Sequence, residues 1–91
     1  MKIVINTCYG GFSLPQDFCN IYGIDSVYDD SIERTDPRLI SYVEQHGGVV
    51  KHRCAELRVV EIPDTCTDWE LNEYDGFEVI IFIVDGKIHR I

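Results

Sequence analysis

The residues with the most chemical potential lie close together near the start of the chain. They are Cys8, Tyr9, Gly10, Gly11 and Ser13, inside the stretch Lys2–Pro15, KIVINTCYGGFSLP. A strand that breaks at paired glycines and opens a helix leaves backbone N–H groups free, which suits an anion or a phosphate. A cysteine beside such an end can lose its proton readily and act as a nucleophile. These residues therefore define one reading: a small-molecule or nucleotide-binding module, or a cysteine-dependent enzyme with Cys8 as its nucleophile. The loop lacks the G-x-x-x-x-G-K-[ST] pattern and has no local arginine to grip phosphate. His46, His52 and His89 are all remote in sequence. A buried thiol in a tight turn explains the same residues, and the stronger reading is that no catalytic residue is present.

A second group is acidic. The formal net charge is −8, and the acids fall in two blocks. Asp25, Asp29, Asp30, Glu33 and Asp36 face only Arg34, while seven acids between Glu61 and Glu78 have no Lys or Arg among them. Catalysis by Glu70, Glu73, Asp75 and Glu78 would need a convergence that their spacing does not supply. This balance speaks against direct binding of nucleic acid through phosphate neutralisation, and against an anionic membrane surface. It suits a partner with a basic surface, a protein or a ribonucleoprotein cleft built for polyanions. Tyrosines are favoured in interface hot spots. The expected contact residues are Tyr28, Asp29, Asp30 and Glu33 in one block, and Glu70, Glu73, Tyr74 and Asp75 in the other.

The four cysteines form no C-x-x-C motif, and His52-Arg53-Cys54 has no second ligand pair at zinc spacing. No metal and no cofactor is expected, and the cysteines read as thiols. The apolar run before Asn6 is too short for a secretory h-region, and none approaches the ~18 residues that span a bilayer. A cytoplasmic location is expected.

Ninety-one residues make a single compact domain over 1–91. Lys2–Thr7 reads as a strand, central in its sheet because apolar residues occupy both of its faces. Ser13 with Gln16 forms an S-x-x-Q capping box that opens a helix over about Leu14–Tyr22. Ile24–Thr35 has no period and reads as a loop. Asp36-Pro37 opens a second helix, which Gly47-Gly48 ends. Val49–Ala55 reads as a connector and Leu57–Ile62 as a strand. Asp75-Gly76 and Asp85-Gly86 mark hairpins between three further strands, the last beginning at Lys87. The order β-α-α-β-β-β-β predicts an α+β fold. It has one antiparallel or mixed sheet of about five strands, both helices on one face, and Trp69, Phe77 and Phe82 in the core. The other sheet face is where a homodimer would form.

The segments KIVINTCYGGFSLP, ERTDPRL, AELRVVEIP and EYDGFE resemble a family of small hypothetical proteins from bacteriophages and bacterial genomes. Its members carry an N-terminal NxCYGGFxLS motif and DPRL, VVEIP and YDG segments. This chain departs from the resemblance in its apolar IIFIVDGKIHRI end, where the family often closes in a polar, basic tail. The resemblance carries no settled activity. It implies a phage-type source, in which small acidic proteins often block a host defence or nucleic-acid-handling complex, anti-CRISPR proteins among them. The resulting expectation is a non-enzymatic, acidic inhibitor acting in the host cytoplasm.

Overall fold

A computed structural model describes all residues, Met1–Ile91. The fold is α+β, with two helices and six strands. The strands are β1 (Lys2–Asn6), β2 (Val49–His52), β3 (Ala55–Glu61), β4 (Asp68–Tyr74), β5 (Phe77–Val84) and β6 (Lys87–Arg90). The helices α1 (Gln16–Tyr22) and α2 (Pro37–Gln45) lie between β1 and β2.

The single five-stranded sheet expected from the sequence is replaced by two antiparallel sheets of three strands each. The first runs β1-β3-β2 and the second β4-β5-β6. The sixth strand comes from Val49–His52, read from the sequence as a connector, which pairs along β3 from Val49↔Arg58 to His52↔Ala55. Strand β1 lies at an edge and not at a sheet centre. Its residues are apolar on both faces because a layer covers each face. Val4 packs with Leu14, Phe18, Leu39 and Val43 under the helices. Ile3 and Ile5 pack with Ile62, Ile80 and Phe82 toward the second sheet. The order of layers is therefore helices, first sheet, second sheet. A strand in the middle layer is buried from both sides wherever it lies laterally.

The free edge of β1 is closed by a loop carbonyl and a side-chain carboxylate in place of another strand. Val4 N–H donates to the Arg34 carbonyl at 2.8 Å, and Asn6 N–H donates to Glu78 Oε1 at 2.7 Å. An edge strand with its donors occupied in this way offers no template for further pairing.

Local chemistry behaves as expected at α2 and at both hairpins. The Asp36 side chain accepts from Arg38 N–H, and Pro37 takes the first turn. Asp75 and Gly76 both have positive φ, 49° and 89°, as a two-residue hairpin turn with right-handed strand twist requires. At α1 the expected capping box does not form. The N-cap is Pro15, no side chain caps the helix, and Ser13 is buried two residues upstream of it. Leu14 N–H instead donates to the Val27 carbonyl, which ties the helix entry to the long loop and delays the first helical turn. Phe77, expected in the core, faces outward and is half-exposed, since Glu78, Ile80 and Phe82 take the inward positions of β5. Trp69 is half-buried between the sheets, and Phe82 is buried there.

Candidate functional site

The loop at Cys8–Ser13 is a junction between the sheets. Asn6 is fully buried and its amide makes four hydrogen bonds. Nδ2 donates to the carbonyls of Cys8 (3.0 Å) and Gly76 (2.7 Å), while Oδ1 accepts from the N–H of Cys8 (3.2 Å) and Glu56 (2.9 Å). One side chain thus links β1, the glycine loop, β3 and the β4–β5 turn. Gly10 N–H donates to the Asp75 carbonyl at 2.9 Å. A Cβ at Gly76 would lie 2.1 Å from the Gly11 nitrogen, and one at Gly10 would lie 2.6 Å from Cys54 Cβ. Gly10 and Gly76 are there because three turns meet at contact distance, and Gly11 because its φ is 96°.

This geometry defines what the loop residues do. Tyr9 lays its ring 5.3 Å from that of Phe77 and is exposed. Gly10 is packed against Cys54, while a Cβ on Gly11 would meet open space, so that its positive φ is what calls for glycine there. Cys8 is a half-buried free thiol whose backbone, not its sulfur, is engaged by Asn6. No histidine or arginine hydrogen-bonds to that sulfur. Elsewhere, no three His, Cys, Asp or Glu side chains converge to hold a metal ion. Cys19 is buried under the helices, and burial first, then the charge of Asp29, pushes its thiol pKa up.

A different site emerges where the long loop crosses the end of the second sheet. Arg34 forms a two-pronged ion pair with Glu78, with Nη1 on Oε1 and Nη2 on Oε2, the latter at 2.8 Å. The Glu78 side chain is only 3% exposed, so the pair is desolvated on the carboxylate side. The Arg34 guanidinium also covers the Phe12 ring at 3.6 Å, a cation–π stack that fixes its plane. Residues Phe12, Tyr28, Asp29, Asp30, Ile32, Arg34, Glu73 and Glu78 surround a recess of about 380 Å³. Four carboxylates line it against one guanidinium, and Arg34 is already committed to Glu78. Asp29 is oriented by Ser31, whose hydroxyl and N–H both donate to its Oδ1, and these bonds hold its pKa below the usual carboxylate value. Tyr28 stands at the rim, 67% exposed.

The structure does not bring the eight expected contact residues to one surface. Tyr28, Asp29, Asp30 and Glu73 share the recess, and Glu33 lines an adjoining hollow with Asp30, Thr35, Trp69 and Leu71. Strand alternation turns Glu70 and Tyr74 to the opposite face of the second sheet, where Tyr74 is 74% exposed. Asp75 occupies the turn, with its carbonyl used by Gly10. Sequence reasoning passed over Asn6, Phe12 and Arg34. The one signal for Arg34 was its position as the lone cation in an acidic block, which is where a buried carboxylate would find its partner.

Comparison of the chain with protein-family models, with curated proteins and with solved structures finds no match.

Proposed function

We propose that this chain is a non-enzymatic interaction protein that engages the basic surface of a partner through the acidic recess beside Tyr28. What carries the reading is that Asp29 and Asp30 from the long loop and Glu73 from β4 line one hollow with an exposed tyrosine. Ser31 holds the Asp29 carboxylate in place before binding, so at that residue little side-chain ordering opposes association. A lysine or arginine entering the hollow would meet three carboxylates that have no cation of their own, with Phe12, Ile32 and Tyr28 to cover its aliphatic stem. With a net charge of −8, long-range attraction to a basic cleft adds to the encounter rate. In this reading the partner is a host protein or ribonucleoprotein whose Lys/Arg-lined cleft is built for phosphates, and the chain acts as an inhibitor by occupying it.

The test compares two charge reversals of equal size. Asp30→Lys/Glu73→Lys alters the recess and leaves the Asp29 turn intact, while Asp68→Lys/Glu70→Lys alters the other face. Binding of a labelled deca-arginine peptide, followed by anisotropy, is expected to fall at least about tenfold for the recess pair and far less for the control pair. Binding by the wild type should also weaken steeply as salt rises, because screening at 0.15 M acts over about 8 Å. Equal losses for the two pairs would reduce the effect to net charge and sink the proposal.

A further inference from the structure

The second sheet has an outer face that the rest of the fold covers only at one end, where Tyr9 packs on Phe77. Alternate residues of β5, namely Phe77, Val79, Ile81 and Ile83, point away from the core and remain half-exposed. Ile88 on β6 is paired with Ile83 and is 75% exposed, and Tyr74 on β4 is paired with Phe77. The apolar residues are contiguous, which distinguishes them from scattered surface aliphatics. Strands of seven, eight and four residues, about 4.8 Å apart, make an area of roughly 300 Å² with the charged borders included. A patch of that size on a monomer is commonly functional.

The charges that border this stripe are segregated by strand. On the outer face β4 carries Asp68 and Glu70, while β6 carries Arg90. Strand register aligns Glu70, Ile81 and Arg90 in one row across the sheet. A second copy can be laid on this face by a two-fold axis running along β5 or by one running across the strands. The first places β6 of the second copy over β4. Glu70 then meets Arg90 of the second copy, Ile81 meets its own equivalent, and Arg90 meets Glu70 of the second copy. The alternative places β4 on β4, and brings Asp68 and Glu70 onto like charges in a chain that already carries −8. Stacked sheets lie about 10 Å apart with their strands within about 30° of each other, a gap that a glutamate and an arginine together can span.

We propose that the outer face of β4-β5-β6 is the interface of an isologous homodimer, with β5 lying along β5 of the second copy and Glu70–Arg90 pairs closing both sides. The second copy is the occupant that satisfies the apolar centre and both charged borders with the same set of residues. Two faces of this size together fall short of the ~1,200–2,000 Å² of stable specific interfaces, so the self-association is weak and is expected at roughly 100 µM and above. The acidic recess stays open in the dimer, which would present two recesses to a partner. The dimer does not depend on the recess reading.

Sedimentation equilibrium of the full chain between about 5 and about 500 µM tests the interface. The wild type is expected to pass from monomer to dimer across that range. Glu70→Arg and Arg90→Glu, each alone, should raise the midpoint at least about tenfold by setting like charges opposite each other on both sides. An equimolar mixture of the two variants should associate again, because each then supplies the charge that the other lacks. Both variants remain net negative, so non-specific attraction cannot produce that rescue. Both positions are exposed, and circular dichroism verifies that each variant is folded. The proposal is overturned by a wild type that stays monomeric throughout, by single variants that associate like the wild type, or by a mixture that stays apart.

Discussion

Replacing Asn6 by alanine removes the amide that joins both sheets to the glycine loop. Four backbone groups lose their partner. The Gly76 carbonyl lies in a buried contact and cannot recruit water, which costs about 1–3 kcal/mol. The Cys8 N–H and carbonyl and the Glu56 N–H are partly buried and recover some hydration. Adding these smaller losses brings the expected destabilisation to about 3 kcal/mol, set against a total of roughly 5–15 kcal/mol for a domain. At about 4–8 °C per kcal/mol for a chain of this size, the melting temperature should fall by roughly 15 °C. Urea denaturation at pH 7 measures the difference. Asn6→Asp supplies the control. It keeps the shape and the acceptor for Glu56 N–H, but turns a carboxylate oxygen toward the Gly76 and Cys8 carbonyls. It should be at least as destabilising as alanine at pH 7, and its deficit against wild type should shrink as the pH falls toward 4 and the carboxyl regains a proton. A loss below about 1 kcal/mol for Asn6→Ala, or an Asn6→Asp variant as stable as wild type at pH 7, would refute the account of Asn6 as the bracket between the sheets.

Two further outcomes follow from the polar interior. Arg34→Met leaves the Glu78 carboxylate, 3% exposed, without its cation, and should cost about 3–5 kcal/mol in urea denaturation. Arg34→Met/Glu78→Gln should recover at least half of that, since glutamine still accepts from Asn6 N–H; a double variant no better than the single would contradict the pairing. His52 has a buried Nε2 with no hydrogen-bond partner, and burial, aided by the charge of Arg53, lowers its pKa from the ordinary 6.5. The unfolded chain therefore takes up this proton first. The stability contributed by neutral His52 is complete above about pH 6.5, and is lost as pH falls through the lower folded-state value. His52→Phe should flatten the decline in melting temperature between about pH 7 and 5, and an unchanged slope would show that His52 does not supply it.

Local chemistry was legible in the sequence wherever it was decided within four residues. Asp36-Pro37, Asp75-Gly76 and Asp85-Gly86 each form the structure that their types require. The Ser13 capping box was equally local in form, yet a contact between Leu14 and Val27 outcompetes it. The division into two sheets was hidden for a different reason. Apolar residues on both faces of β1 report that both faces are covered, and say nothing of whether the strand has a neighbour on each side. The recess was half legible. The acidic composition of both blocks was plain, but strand alternation decides that Glu73 joins Asp29 and Asp30 while Glu70 does not. The role of Asn6 depends on partners 50 and 70 residues away, and no local pattern announces it.

The position of β1 has a consequence for how the chain reaches its folded state. Synthesis delivers this strand some fifty residues before its ladder partner, Ala55–Glu61. The carboxylate that closes its free edge, Glu78, comes later still. Until then a short, strongly apolar strand has both edges open. Contacts of such long sequence separation slow folding, and an unpaired apolar strand is where intermediates associate wrongly. Completion of the β4–β5 hairpin supplies Gly76 and Glu78 together, the two groups that hold Asn6 at the end of this strand.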